Sequence, residues 1–294
     1  MIRLAPTSVF LLSLAPVLGG CQPPRTGPHR IELHDGWTLS GTDTFTSPLP
    51  ATVPGTVHTD LLANGLIGDP FWRANELTLQ WIGEEDWVYR TTFTAGPEVL
   101  EKEVVDLVFH GLDTYAEVRL NGTPLLSADN MFRRWEVEAG DLLESGENTL
   151  EVFFRSPLPP ALAARAALPY EIPAGNDRGD PPSRVFVRKA AYHYGWDWGP
   201  RLVTSGIWRP VTLTAWSGVL LSDLHFVTDS ITSERAFLHA VVEIRASEEE
   251  AERRAIGGDL PATVVLSSPD ASFPDVRHPI QLAGGTNVVR VPLE

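Results

Sequence analysis

Residues 188–200 concentrate the side chains that could act on a ligand: Arg188-Lys189-Ala190-Ala191-Tyr192-His193-Tyr194-Gly195-Trp196-Asp197-Trp198-Gly199-Pro200. Four aromatic rings, a His and an Asp fall within residues 192–198. Aromatic faces stack on the apolar C–H side of a sugar ring, and a carboxylate accepts charge-assisted hydrogen bonds from its hydroxyls. The same residues also suit a packing role, with two core tryptophans and one turn-forming Asp. Proline has no N–H and a fixed φ, so a strand cannot easily run through Gly199-Pro200. The Trp196-Asp197-Trp198 triplet is therefore expected at or just before a turn. If extended, it puts both indoles on one face and Asp197 on the other.

The elements that must hold this stretch read as strands. Residues 86–94 alternate, with Trp87, Tyr89, Thr91 and Phe93 on one face. Residues 104–109, 116–120, 135–138 and 148–154 are further candidates, and residues 31–39 carry a first one with Trp37. Asn121-Gly122 is a strong hairpin signal. Thr59 is expected to cap a short helix over residues 60–64, with Gly65 past its end. Residues 156–184 hold seven prolines and break the strand pattern, apart from a brief helix expected over 161–167. Long irregular connections of this kind are commonly functional or mobile. A last strand is expected over 207–216. Short strands separated by turn residues indicate an antiparallel sandwich.

Beyond Ser217-Gly218 the texture changes, and a second sandwich is expected from strands near 219–228, 236–244, 262–266 and 288–293. Residues 247–254 read as a charged, solvated connection. Some 77 residues remain there, fewer than the roughly 100 of a complete immunoglobulin-like sandwich.

At the other end, Arg3 precedes a short apolar run over residues 9–18, too short to span a bilayer. Leu18-Gly19-Gly20-Cys21 resembles a lipoprotein cleavage box in which Cys21, the only cysteine, receives the lipid. Residues 1–20 are then a signal peptide and 21–29 a tether. The expected location is the cell envelope, with membrane attachment by the lipid anchor only; ordinary secretion is the alternative.

A formal charge of −15 argues against nucleic acid and anionic lipid surfaces as partners. Cysteine-based metal sites, a phosphate loop and a nucleophile elbow are absent, the eight His lack metal spacing, and no cofactor is expected. His193 reads as a hydrogen-bonded loop residue, and Glu84-Glu85-Asp86 as a solvated turn rather than a catalytic pair.

Several stretches together resemble one family. They are Val53-Pro54-Gly55-Thr56-Val57-His58-Thr59-Asp60-Leu61-Leu62, Asp69-Pro70-Phe71-Trp72-Arg73-Ala74-Asn75-Glu76, Trp81-Ile82-Gly83-Glu84-Glu85-Asp86-Trp87-Val88-Tyr89, Gly111-Leu112-Asp113-Thr114-Tyr115, Leu120-Asn121-Gly122, Asn130-Met131-Phe132-Arg133 and residues 188–200 with Gly206-Ile207-Trp208-Arg209-Pro210. The sequence is similar to the N-terminal part of bacterial β-mannosidases of glycoside hydrolase family 2.

That resemblance implies an all-β chain: a galactose-binding-like jelly roll over 30–217, then part of an immunoglobulin-like sandwich over 218–294. It implies a β-mannoside or manno-oligosaccharide substrate and a catalytic barrel in the full-length protein as partner. Both catalytic glutamates of the family lie in that barrel, so no residue here is assigned as catalytic. The resemblance places Trp196, Asp197 and Trp198 at the −1 sugar subsite, Asp197 on the mannose hydroxyls. Arg73, Asn75 and Glu76 fall in loops near the same mouth, without assigned roles. Two other readings stay open: a lipid-anchored carbohydrate-binding module without catalysis, and a truncated fragment without function.

Overall fold

In the computed structural model, residues 27–256, 262–268 and 274–293 are described. Cys21 and the whole signal-peptide reading lie outside them. The chain divides into two compact units, His29–Ala215 and one built from Trp216 onward.

The first unit contains, in chain order, β1 (His29–Glu32), β2 (Thr38–Gly41), β3 (Leu49–Pro50), α1 (Val57–Ala63), β4 (Trp87–Ala95), α2 (Pro97–Leu100), β5 (Val104–Phe109), β6 (Tyr115–Leu120), β7 (Thr123–Ala128), β8 (Trp135–Glu138), β9 (Gly146–Arg155), α3 (Leu158–Ala166) and β10 (Val211–Trp216). Its strands make a six-stranded sheet, β3-β2-β4-β9-β6-β7, and a four-stranded sheet, β1-β10-β5-β8. The inward residues of both sheets form one core, with Trp87, Tyr89, Phe109, Leu120 and Phe154 wholly buried. Period-2 alternation produces this: along β4, Trp87, Tyr89 and Thr91 are buried while Arg90 and Thr92 face water. The fold is an antiparallel jelly-roll sandwich.

Four local readings need correction. Residues 31–39 do not make one strand, because the chain crosses between sheets: β1 pairs with β10, and β2 with β4. The helix cap is Thr56, not Thr59. Thr59 sits one turn inside, and the two hydroxyls satisfy each other's backbone amides as a capping box. The last strand starts only at Val211, since residues 207–210 follow Gly206 at φ 153 and end in Pro210. The irregular connection keeps one helix, α3, which starts three residues earlier than expected because Pro159 and Pro160 fit its first turn.

The acidic cluster is not a solvated turn either. Glu85 is buried, and its Oε1 accepts from the backbone amides of Asp43 and Thr44 at 3.0 and 2.7 Å. Asp86 Oδ1 accepts from Ser156 N at 2.7 Å. Both carboxylates tie loops together.

The second unit has β11 (Val219–Ile231), β12 (Ala236–Ala246), α4 (Glu248–Ile256), β13 (Ala262–Leu266), β14 (Val276–Ile280) and β15 (Gly285–Leu293). They form the sheets β11-β12-β15 and β13-β14 around Ala240, Val242, Ile244, Val264 and Val291. This arrangement is consistent with part of an immunoglobulin-like sandwich. The charged connection is a helix rather than a plain solvated loop. Glu250 is buried, and its carboxylate pairs with Arg253 and Arg254 one turn on.

Candidate sugar-recognition site

Residues 194–201 leave the sandwich as a short excursion. Tyr194 and Arg201 bridge at its base. Trp196 N donates to the Gly199 carbonyl at 3.3 Å, leaving Asp197 and Trp198 as the two residues of the tip. Gly195, at φ 105, makes the entry possible: a Cβ there would lie 2.9 Å from Arg178 Cγ. The triplet is thus bent rather than extended. Its two indoles meet edge to face, with centroids 6.3 Å apart. Trp198 is 84% exposed and Asp197 is exposed beside it.

The base of the excursion is fixed from below. Tyr194 is wholly buried with Leu158, Ala161, Val187 and Val203 in a small core of its own. Lys189 is buried, and its Nζ donates to Asp113 Oδ2 at 2.5 Å and to the Thr204 carbonyl at 2.7 Å. Asp113 is held in turn by paired backbone bonds to Gly206, each 3.0 Å. Burial pulls the Lys189 ammonium below its ordinary pKa, and the Asp113 charge opposes that pull.

Beside the tip lies a cleft of about 760 Å³. Trp196, Trp198, Phe71 and Tyr192 wall it, and His58 and His193 contribute imidazoles. Asp197 is not among its lining residues, although both of its neighbours in the chain are. Burial, reinforced by the Lys189 charge, pushes both His58 and His193 down to about 4, so both are neutral at pH 7. The backbone of His193 is hydrogen-bonded as expected, its N–H donating to the Ala190 carbonyl and its carbonyl accepting from Leu202 N, but its ring Nδ1 is not. Its Nδ1 stands 3.5 Å from Asp113 Oδ2, close enough to feel the charge but without a hydrogen bond. Both ring nitrogens of His58 also lack partners among the described residues. These three ring nitrogens are sealed from solvent as well as unpartnered. Sequence reasoning missed His58. It sits in the Val57-His58-Thr59 stretch at the start of α1, and only the fold brings it to the same cleft as Tyr192, His193 and Trp196.

The remaining family-like loop residues also converge. Glu76 Oε2 accepts from Arg201 N at 2.9 Å, and its Oε1 accepts from Arg178 Nη1 at 3.2 Å. Asn75 Nδ2 donates to the Asp69 carbonyl at 2.8 Å. Arg73 stacks over Trp72, 5.3 Å from the ring centroid. Among the described residues no group of three or more His, Cys, Asp or Glu could hold a metal ion, and no helix is long and apolar enough to cross a membrane.

Residues 37–209 match the family model described as glycosyl hydrolase 2 galactose-binding domain-like. β-Mannosidase B of Emericella nidulans is 39% identical over 242 residues, which is 80% of this chain and 27% of that protein. β-Mannosidase B of Thermothelomyces thermophilus is 39% identical over 266 residues, 83% of this chain and 30% of that protein. Among solved structures, the β-D-mannosidase of Dictyoglomus thermophilum superposes with a TM-score of 0.76 at 36% identity, over 90% of this chain and 31% of that one. The exo-chitosanase of Amycolatopsis orientalis shares the fold, with a TM-score of 0.63 at 19% identity. The chain spans less than a third of the length of these relatives. The family match over residues 37–209, with relatives 36–39% identical, shows that this chain belongs to the galactose-binding-like domain family of the family 2 glycosyl hydrolases.

Proposed function

We propose that this chain is the sugar-facing N-terminal portion of a retaining β-mannosidase that removes terminal non-reducing β-D-mannose. The observation that carries this reading is the tip of residues 196–199: an exposed carboxylate between two indoles that wall an aromatic cleft. Asp197 accepts hydrogen bonds from the mannose hydroxyls in the −1 subsite, and Trp196 and Trp198 shape its wall. The proton donor and nucleophile, a carboxyl pair about 5–5.5 Å apart in retaining enzymes, come from the barrel of the full-length protein. Cys21 carries the lipid that holds the protein in the cell envelope.

The test is hydrolysis of an aryl β-mannoside by the full-length protein. Hydrogen bonds to a charged group are worth about 1.5–3 kcal/mol each, so Asp197→Ala is expected to lower kcat/KM by about 10–100-fold. Full activity in that variant removes Asp197 from the subsite. The 294-residue chain alone is expected to turn over none of the substrate. For the anchor, palmitate labelling of the wild type and its loss in Cys21→Ser is the expected result; an unlabelled wild type points to secretion.

The presence of the cleft within this chain favours a second reading, a sugar-binding module that works without catalysis. Titration calorimetry with mannobiose separates the two. The first reading expects millimolar affinity or weaker, about −4 kcal/mol at best, and the second micromolar.

A further inference from the structure

The excursion carrying Asp197 is held from above as well as below. Arg178 lies in the proline-rich connection, 18 residues before Trp196, and its Nη2 donates to the Trp196 carbonyl at 2.9 Å. Its Nη1 donates to Glu76 Oε1 at 3.2 Å, and its backbone N–H to the Tyr194 carbonyl at 2.9 Å. Glu76 completes the ring: its second oxygen takes the Arg201 N–H on the other limb of the excursion. One guanidinium and one carboxylate therefore span both limbs, at residues 194–196 and at 201.

Each partner is itself fixed. Gln80 Nε2 donates to the carbonyls of Glu76 and Arg201 at 2.6 and 2.9 Å, and the Arg201 guanidinium donates to Gln80 Oε1. Asp177, next to Arg178, accepts the backbone amides of Gly179, Ser183 and Arg184 at 2.7–2.8 Å. The Glu76 side chain is only 17% exposed, so its pairing is shielded from water on one side. A bare Arg–Glu pair at a surface does little for stability. A pair that bridges two limbs of a two-residue tip does something else, since a small misplacement at a binding group costs far more in rate than in folding.

We propose that Glu76 and Arg178 form a clasp that sets where Asp197 and Trp198 stand. They are positioning residues, acting through the Trp196 carbonyl and the Arg201 amide and not by touching sugar. Their role in sugar recognition rests on the function proposed above; the clasp itself does not.

The experiment has two arms. In the first, the chain is labelled with 5-fluorotryptophan and its fluorine lines are assigned by single Trp→Phe changes. Arg178→Met keeps the stem and removes the donors; Glu76→Gln keeps an acceptor and removes the charge. Both are expected to shift or broaden the Trp196 and Trp198 lines, Arg178→Met more, while the buried Trp37 and Trp87 lines report an intact fold by staying put. Unmoved Trp196 and Trp198 lines in Arg178→Met overturn the clasp.

In the second arm, full-length Arg178→Met is assayed on an aryl β-mannoside. KM is expected to rise about tenfold with kcat within about threefold, a split that general destabilisation does not produce. Unchanged KM, in a protein whose Asp197→Ala variant is impaired, overturns the link from clasp to substrate. A full-length wild type that ignores mannosides defeats the functional reading, and the fluorine lines then judge the clasp alone.

Discussion

Lys189 is the residue on which the site's footing turns. Its ammonium is sealed from solvent and has two partners, Asp113 and the Thr204 carbonyl. Removing one member of a buried ion pair leaves the other unpaired, at a cost of about 3–5 kcal/mol. Lys189→Met is expected to lose that much in urea unfolding, and Asp113→Asn combined with it to recover most of the loss. A single variant as stable as the wild type would refute the footing role.

The two imidazoles set the pH behaviour. Unfolded, each has a pKa near 6.5; folded, near 4. Between these values the unfolded chain binds more protons, so stability is complete above about pH 6.5 and falls as the pH drops towards 4. The shift at His58 corresponds to about 3 kcal/mol across that window. The urea midpoint is expected to fall from pH 7.5 to pH 4.5, and less steeply in His58→Phe. At this scale the sequence was half legible. The residue types of 192–198 pointed to a ligand, but Asp113 lies 76 positions before Lys189, and no spacing rule joins them.

Among the elements, the hairpin at Asn121-Gly122 was readable and the excursion was not. Both turn residues have positive φ, 51 and 79, as the right-handed twist of β6 and β7 requires. Asn121 does more than turn. Its side chain bonds Leu142 O, Asn148 Oδ1 and Thr149 N, each at 2.8 Å, across to β9 and the loop before it. Gly122→Ala is expected to cost about 1 kcal/mol of backbone strain. Asn121→Ala should cost more, because buried Asn148 loses a donor. Urea midpoints rank the two, and the reverse order would mean that backbone strain outweighs the side-chain network. The capping box of α1 was read one turn late because Thr56 and Thr59 both satisfy the cap pattern, and only backbone angles tell them apart. The excursion escaped for a different reason. Gly199-Pro200 announced a turn, but the limbs are held by Glu76, in a single 3₁₀ turn, and Arg178, in the irregular connection 102 residues later, and neither segment has a periodic pattern.

Over the whole molecule, alternation and turn spacing were enough to give two β-sandwiches, because burial on one face writes itself into every second residue. Strand order was not legible, since the pattern of one strand does not name its neighbour. The pairing that closes the four-stranded sheet illustrates this: His29 faces Ala215, so the first strand of the unit lies against its last. During synthesis, β1 is made early and its partner β10 last. At about 5–20 residues per second, roughly 10–40 s separate the two. Until then β5 also lacks the strand that joins it to β1, and only the β5–β8 pair can cover the inner face of the opposite sheet. A nascent chain halted at residue 205 is therefore expected to be cut readily by protease, and one halted far enough on for residue 216 to clear the ribosome to resist it. The jelly roll matures as one late event, and any chaperone that serves it must act before that last strand arrives.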